Sequence, residues 1–203
     1  MKLLYGPASP YSRKVRIVLA EKRIDCELER VDVQPQDNPV NAHNPLGKIP
    51  TLVLDDGTAI YDSRVIVEFL DSMTANNRLI PQDNRERIAV KRWEALADGV
   101  LDAGLLMRYE SMRPPSEQSP SWTRKQVARL QRGLAQMQAE LGARGWCQGE
   151  RYTLADVALG SCVGWIGFRR PGGVDWRADY AGLARHYDKL MERPAFAETA
   201  PAA

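Results

Sequence analysis

The hydrophobic pattern of this chain changes its period close to residue 80, and this change constrains the fold more than any other feature. Residues 1–73 alternate between short apolar runs typical of strands and longer runs with one apolar helical face. Residues 74–84 are polar, contain a proline and are typical of a linker. Residues 85–203 show the helical period alone. The sequence therefore predicts an α/β domain, a linker and an all-helical bundle domain.

The first domain is predicted to have the order β-α-β-α-β-β-α. A short apolar run at residues 2–5 precedes a helix that follows Pro10, and a second strand is expected within residues 27–33. Two further strands flank the turn at residues 55–57, because apolar runs on both sides of an Asp-Gly pair are typical of a β-hairpin. A parallel strand pair joined by a helix, followed by a hairpin and a last helix, is a thioredoxin-like arrangement.

Composition argues against several classes of protein. A net charge of +2 gives no general attraction to nucleic acid or to an anionic membrane, and no segment approaches the ~20 apolar residues that span a bilayer. The cysteines Cys26, Cys147 and Cys162 are widely spaced, which argues against a disulfide framework and fits a reducing compartment. With only two histidines and no close cysteine pair, no metal site is predicted. We expect a cytoplasmic protein with no nucleic-acid partner.

Ser9 lies where the first strand turns into the first helix. Serine is a good N-cap, and Pro10 is suited to the first helical position. The helix N-terminus is electropositive, so Ser9 and the N–H groups there can stabilise an anion such as a thiolate, with Ser12 as a weaker candidate. Ser9 as a helix cap alone is the alternative. Three basic residues of the first helix are expected to form a solvated face: Arg13, Lys14 and Arg16.

Two further segments of the first domain are candidates for ligand binding. Pro50 opens the third strand, and a cis bond after Ile49 would leave the backbone of Ile49 free to pair with an extended peptide. An ordinary turn is the alternative. Asp62 and Ser63 open the last helix of the domain, where Ser63 could hold a carboxylate and Asp62 an ammonium group. A helix cap is the alternative for this pair.

The helical domain contains a capping motif. Thr153 is followed three residues later by Asp156, which stands where a capping box usually has Glu. We interpret both residues as determinants of the fold and not as catalysts.

Taken in order, these motifs resemble the soluble glutathione transferases. Ser-Pro-Tyr near the N-terminus, Asn-Pro-Leu-Gly-Lys-Ile-Pro-Thr-Leu at residues 44–52, Asp-Ser after the hairpin and Tyr-Thr-Leu-Ala-Asp in the helical domain carry the resemblance over essentially the whole chain. The serine-type classes are the most similar, with bacterial, tau, zeta and theta members. The resemblance implies a detoxifying homodimer that conjugates glutathione, its co-substrate, to a small hydrophobic electrophile.

The resemblance also implies site residues. Ser9 matches the serine whose hydroxyl donates a hydrogen bond to the glutathione thiolate. Ile49 matches the residue whose backbone pairs with the cysteinyl part of the tripeptide, and Lys48 matches a position that often holds the glycyl carboxylate. Ser63 matches the residue that binds the γ-glutamyl carboxylate, and Asp62 stands where the family usually has Glu or Gln.

The electrophile is expected to lie between the two domains. Four residues are candidates for the wall of this second-substrate pocket, although they could equally belong to the core: Tyr11, Met107, Arg108 and Trp165. In a dimer of the family type, Asp98 or Asp102 of the neighbouring copy would approach the amino group of glutathione.

Several alternatives stay open. A thioltransferase is disfavoured because no cysteine stands at the positions of Ser9 and Ser12. A zeta-class maleylacetoacetate isomerase is a second alternative, but that class carries Ser-Ser-Cys where this chain has Ser-Pro-Tyr. A non-catalytic binding or regulatory protein of the same fold, similar to the stringent-starvation proteins, is a third. The sequence does not distinguish conjugation from peroxidase, dehalogenase or isomerase activity.

Overall fold

The computed structural model describes residues 1–201, which form two compact units. The first unit contains Met1–Ile80 together with the C-terminal segment from Arg193, and the second unit contains Pro81–Glu192. The helical domain predicted from the sequence extended to residue 203, whereas the compact helical unit ends at Glu192. The division into domains at residues 74–84 stays a prediction.

The first unit is a small mixed sheet with helices. Its elements are β1 (Lys2–Tyr5), α1 (Pro10–Lys22), β2 (Glu27–Arg30), a 3-10 helix (Pro39–Ala42), β3 (Thr51–Val53), β4 (Ala59–Ile60), α2 (Ser63–Met73) and, from the C-terminal segment, α8 (Pro194–Ala197). The strand order is β2-β1-β3-β4, with β2 parallel to β1 and with β3 and β4 antiparallel. The helix α1 connects the parallel pair. The predicted thioredoxin-like arrangement is confirmed.

The two central strands explain the continuous apolar runs seen in the sequence. Leu3 and Leu4 of β1 are both buried, and so is every residue of β3. Neighbouring residues of a strand point to opposite faces, so both faces of this sheet are covered. Strand β2 lies at the edge and is mostly exposed, and it ends at Arg30, three residues before the predicted end.

The prediction that the basic residues of α1 form a solvated face is wrong, because Arg13 is only 2% exposed and Lys14 is only 1% exposed. The C-terminal segment covers Arg13. Its guanidinium donates to the carbonyl oxygen of Phe196 at 3.0 Å and lies 5.7 Å from the centre of the Phe196 ring. Since Phe196 is 183 positions away in the chain, no local pattern in α1 could have indicated this contact.

A buried ion pair joins the ends of α1 and α2. Lys22 Nζ lies 3.0 Å from the carboxylate of Asp71 and also donates to the carbonyl oxygen of Thr74 at 3.0 Å. The same carboxylate accepts hydrogen bonds from the N–H groups of Leu79 at 2.9 Å and Ile80 at 3.0 Å. The pair is hydrogen-bonded on both sides, as a buried charge pair requires. It fixes the relative position of the two helices whose N-termini form the candidate site.

The second unit is all-helical, as predicted. Its elements are α3 (Asn84–Ser111), a 3-10 turn (Pro115–Glu117), α4 (Pro120–Leu141), α5 (Leu154–Arg169), a second 3-10 turn (Pro171–Gly173), α6 (Trp176–Asp179) and α7 (Ala181–Met191). Helix α5 is buried over nearly its whole length and forms the centre of this unit. Within residues 1–201, no helix combines the length and the apolar character needed to cross a membrane.

Candidate functional site

Ser9 ends the loop between β1 and α1, and this loop is held at both of its ends. The Ser9 hydroxyl oxygen accepts a hydrogen bond from the N–H of Ser12 at 3.2 Å, which makes Ser9 the N-cap of α1. The N–H of Ser9 donates to the carbonyl oxygen of Gly6 at 3.0 Å. The Ser12 hydroxyl in turn accepts from the N–H of Gly6 at 3.4 Å. The Ser9 side chain therefore has a fixed position.

As a helix cap, the Ser9 hydroxyl acts as a hydrogen-bond acceptor, and its ability to donate is not used. A serine hydroxyl has one hydrogen to donate and two lone pairs that accept. The hydrogen bond from Ser12 uses a lone pair, and no acceptor for the Ser9 hydrogen is found among residues 1–201. The side chain is half-buried, whereas Ser12 is fully buried behind it. The roles of cap and donor to a ligand are thus compatible in Ser9.

The loop before β3 presents the backbone of Ile49. The Ile49–Pro50 bond is cis. The carbonyl oxygen of Lys48 accepts hydrogen bonds from the Asn44 side chain at 3.0 Å and from the Thr51 hydroxyl at 2.9 Å, so the loop is anchored on either side of Ile49. Within residues 1–201, the N–H and C=O groups of Ile49 make no hydrogen bond. These groups could therefore pair with an extended peptide, and this pairing stays a prediction.

Gly6 brings the two loops into contact. A Cβ atom at this position would lie 2.6 Å from Cδ1 of Ile49 and 3.9 Å from Cβ of Ser9. Because the first distance is shorter than a van der Waals contact, a side chain at position 6 would displace the end of the Ile49 side chain from the β1–α1 loop. Ser9 and Ile49, which are 40 positions apart in the chain, therefore flank the same glycine.

Helix α2 begins with the predicted pair Asp62 and Ser63. The Asp62 carboxylate caps the helix by accepting from the N–H of Arg64 at 3.0 Å, and it pairs with the Arg64 guanidinium at 2.6 Å. Ser63 is only 3% exposed, and neither its hydroxyl nor its N–H has a hydrogen-bond partner in the described part of the chain. The sequence predicted a carboxylate at this residue, and its unused donors fit such a group.

The region around these two helix beginnings favours anions. Neither α1 nor α2 has an acidic residue in its first turn. The hydrogen bond from the Arg64 side chain lowers the pKa of Asp62 below its ordinary value, and the positive charge of Lys14 on α1 acts in the same direction. Lys14 is therefore close to the start of α2. Lys48, on the loop before β3, has an exposed side chain.

The four residues expected to contact the electrophile fall in different environments. Tyr11 lies in the first turn of α1 and is half-buried. Met107 and Trp165 are buried in the second unit, where the Trp165 ring lies so close to Gly104 that a Cβ atom there would be 2.9 Å away. Arg108 is half-buried on α3. Met107 and Trp165 thus contribute to the helical core, and the second-substrate pocket stays a prediction.

The capping box of α5 is present as predicted, with reciprocal hydrogen bonds between Thr153 and Asp156. No sequence pattern indicated two further partners of this carboxylate. The N–H of Cys147 donates to Asp156 at 2.9 Å, and Nε2 of His186 also lies 2.9 Å from it. Burial and, after it, the charge of Asp156 raise the pKa of the Cys147 thiol well above its ordinary value. These partners lie 9 and 30 positions from Asp156, beyond any capping pattern.

Comparison with known families agrees with this geometry. Residues 8–73 match the N-terminal domain of glutathione S-transferase, and residues 120–189 match its C-terminal domain. The chain belongs to the glutathione S-transferase family.

Individual relatives match over nearly the full length. The GST-like protein YibF of Escherichia coli K12 is 36% identical over 203 residues, which cover 99% of this chain and 98% of YibF. The crystal structure of a glutathione S-transferase from Methylobacillus flagellatus KT with GSH bound is 49% identical, with a TM-score of 0.95 and 99% of both chains covered. A glutathione S-transferase from Methylobacterium radiotolerans in complex with glutathione sulfonate is 39% identical, with a TM-score of 0.94 and 100% of this chain and 95% of that chain covered.

Proposed function

We propose that this protein is a glutathione transferase that binds glutathione and stabilises its thiolate through the hydroxyl of Ser9. The observation that carries the proposal is the bonding of this hydroxyl. It accepts from Ser12 at 3.2 Å and keeps its hydrogen for a ligand, at an electropositive helix N-terminus. The structurally similar transferases contain GSH or glutathione sulfonate, which supports glutathione as the ligand.

The remaining contacts follow the shape of the tripeptide. The unpaired backbone of Ile49 pairs with the cysteinyl residue, so that its sulfur lies next to Ser9. Ser63 and the N-terminus of α2 bind the γ-glutamyl carboxylate. Asp62 accepts from the γ-glutamyl ammonium, and the exposed Lys48 approaches the glycyl carboxylate.

The free energy that Ser9 must contribute to stabilise the glutathione thiolate is small. A thiol with a pKa of about 8.5 is largely protonated at neutral pH, and a decrease of about 2 units requires about 2.7 kcal/mol of preferential thiolate stabilisation. A hydrogen bond to a charged group contributes about 1.5–3 kcal/mol, and a helix N-terminus up to about 1 kcal/mol. Together these two terms are sufficient, and no general base is needed.

The reaction then needs no covalent step on the protein. The thiolate sulfur forms a bond to an electrophilic carbon of the second substrate, and the leaving group departs with its electron pair. We propose a small hydrophobic electrophile. Among the residues predicted for its pocket, Tyr11 and Arg108 keep exposed surface, whereas Met107 and Trp165 are taken up by packing within the helical unit.

We also propose that the protein is a homodimer. Large apolar side chains are exposed on α2, where Val65 is 53% exposed, and on α3, where Ile88 is 67% exposed. A contiguous patch of such side chains, unlike a single one, is typical of a surface that meets another protein. Sedimentation of Val65→Asp should show a monomer, while Leu28→Asp, at a position on β2 that is 46% exposed, should leave the dimer intact. A wild-type monomer would contradict the proposal.

Glutathione binding and turnover by the wild type and two serine variants test the proposed function. Ser119 caps α4 by accepting from the N–H of Trp122 at 3.4 Å, so Ser119→Ala is a matched control for Ser9→Ala. We expect Ser9→Ala to raise the thiol pKa of bound glutathione by about 1–2 units and to lower conjugation of chloronitrobenzene about 10- to 100-fold at neutral pH. Ser119→Ala should change neither quantity.

The other outcomes are equally informative. If the wild type binds glutathione but conjugates no electrophile, a non-catalytic binding role replaces the transferase. If Ser9→Ala behaves like the wild type, Ser9 is only a helix cap. If the wild type does not bind glutathione, the proposal is wrong.

A further inference from the structure

Three side chains with metal-binding atoms meet in the interior of the second unit, and none of them is assigned to glutathione. Sγ of Cys147 lies 3.7 Å from Nε2 of His186, and this nitrogen lies 2.9 Å from Oδ1 of Asp156. All three atoms lie within 4.8 Å of one another. The residues come from the loop after α4, from the first turn of α5 and from α7, and all three are buried.

We propose that Cys147, Asp156 and His186 form a Zn²⁺ site. Zinc in proteins is bound by cysteine sulfur, histidine nitrogen and carboxylate oxygen, the three atom types that converge here. At the usual zinc–ligand distances, tetrahedral ligand atoms are about 3.3–3.6 Å apart. The observed separations of 2.9 and 3.7 Å therefore need only small side-chain movements to match.

The charges of the three ligands balance those of a dication. Cys147 binds as a thiolate and Asp156 as a carboxylate, while His186 stays neutral, so the two negative charges equal the charge of the ion. On binding, the thiol proton leaves to solvent, and the imidazole proton moves from Nε2 to Nδ1, so that the Nε2 lone pair faces the ion. A buried carboxylate is costly without a compensating charge, and the ion provides one.

Zinc binding preserves the capping box. Oδ2 of Asp156 accepts from the N–H of Thr153 at 2.9 Å, and this hydrogen bond does not involve the ion. Oδ1 exchanges its contact with His186 for the ion and keeps the hydrogen bond from the N–H of Cys147. Hydrogen bonds of this kind orient metal ligands in many sites. The ring of Trp146 packs edge-on against His186, with 6.1 Å between centroids, and restrains the imidazole.

Three protein ligands leave one tetrahedral position for a water molecule. The ion would join the loop after α4 to α5 and α7, three segments that are distant in sequence. Any ligand that binds only the folded state stabilises it, so zinc should raise the unfolding temperature.

Cobalt(II) is the probe for this proposal, because it takes zinc sites and is coloured. The full-length protein is stripped with a chelator and titrated with CoCl₂, both directly and after refolding in its presence, since the ligands are buried. We expect one cobalt per chain, with a sulfur-to-cobalt charge-transfer band and the strong visible bands of tetrahedral cobalt. Zn²⁺ should displace the cobalt and abolish both signals.

Variants identify the ligands. Cys147→Ser should lose the charge-transfer band, while Cys162→Ser and Cys26→Ser, which replace thiols outside the cluster, should keep it. His186→Gln retains a group that can donate to Asp156 but lacks the ligand nitrogen, so zinc should no longer raise its unfolding temperature. The proposal is overturned if the refolded wild type gives no cobalt spectrum, or if the charge-transfer band persists in Cys147→Ser.

Discussion

Two helices of this protein begin with a capping hydroxyl followed three positions later by a second polar side chain, yet the two beginnings differ in what they leave unpaired. In α5 the capping Thr153 and the following Asp156 bond reciprocally, and the carboxylate accepts further contacts. In α1 the capping Ser9 is not reciprocated, because the side chain of Ser12 binds Gly6 instead. We call the N-terminus of α5 a closed cap, because its two side chains bond reciprocally. We call the N-terminus of α1 an open cap, because the Ser9 hydroxyl keeps an unused hydrogen.

The difference shows how the same local motif can satisfy the donors of a helix N-terminus or leave a hydroxyl donor for glutathione. Both carboxylate oxygens of Asp156 accept hydrogen bonds from groups within the protein. Removal of this side chain therefore leaves buried N–H donors without an acceptor. Ser9 uses one lone pair within the protein and keeps its hydrogen. An acidic residue at the third helical position, Asp156 in α5, thus distinguishes the closed cap from the open cap of α1, which has no acidic residue there.

The largest loss of stability is expected from Asp156→Ala. It leaves the N–H groups of Thr153 and Cys147 buried without their acceptor, so the free energy of unfolding should fall by about 3–5 kcal/mol. Urea denaturation measures this loss. Asp83→Ala is the matched control, because Asp83 caps α3 on the surface by accepting from Arg85 and Glu86, and it should cost only about 1 kcal/mol. Equal losses in the two variants would show that the α5 cap is not special.

The second prediction tests the open beginning of α2. Ser63→Ala removes a donor to the γ-glutamyl carboxylate worth about 1.5–3 kcal/mol, so the Kd for glutathione should rise about 10- to 100-fold. Ser72→Ala, at the other end of the helix, is the control, because the Ser72 hydroxyl donates to the carbonyl oxygen of Phe69 at 2.7 Å. Calorimetric titration measures both variants. An unchanged Kd in Ser63→Ala would remove this residue from the site.

The fold could be predicted because its signals are local. The hairpin around residues 55–57, the strand Lys2–Tyr5 and the capping pair Thr153 and Asp156 each carry their information within a few positions. Contacts between distant segments could not be predicted in this way. The burial of Arg13 depends on Phe196, and the contacts of Asp156 with Cys147 and His186 come from a loop and from α7.

The candidate site stays a prediction, and its residues were named from local motifs and from the family resemblance. Ser9, Asp62 and Ser63 lie at helix beginnings, where unpaired backbone groups are expected, and Ile49 lies beside a proline. The sequence could not show that Gly6 brings Ile49 against the loop of Ser9, because this packing depends on the sheet. The second-substrate pocket depends wholly on tertiary packing, and the residues chosen for it include two that are buried in the helical unit.

The third prediction separates the two roles of Ser9. Glycine is tolerated at an N-cap, so Ser9→Gly should cost only a few tenths of a kcal/mol in stability, while Ser9→Ala should cost about 1 kcal/mol. Both variants lack the hydroxyl and should raise the thiol pKa of bound glutathione equally. Thermal unfolding and thiolate absorbance against pH measure the two quantities. If Ser9→Gly keeps the lowered thiol pKa, the helix terminus alone stabilises the thiolate.

The smallest expected change in stability concerns Asp62. Its carboxylate caps α2 and pairs with Arg64, as in a closed cap, but the side chain is half-exposed, as in an open cap. The Arg64 side chain lowers the pKa of Asp62, so the carboxylate contributes stability above its ordinary pKa and loses it as the pH falls through the lowered value. The Asp62 side chain is half-exposed, so the pair is worth less than about 1 kcal/mol. Arg64→Ala should raise the pKa of Asp62 towards its ordinary value and should change acid unfolding only slightly.

Carboxyl NMR titration of the wild type, Arg64→Ala and the distant control Arg85→Ala measures this shift. A raised pKa in Arg64→Ala alone would show that a side-chain cation holds the Asp62 charge, and the ammonium group of glutathione can replace such a cation. An unchanged pKa would mean that the N–H groups of α2 hold the carboxylate instead. Asp62 would then belong with Asp156 as a closed cap, and Ser63 alone would be left to bind the γ-glutamyl group.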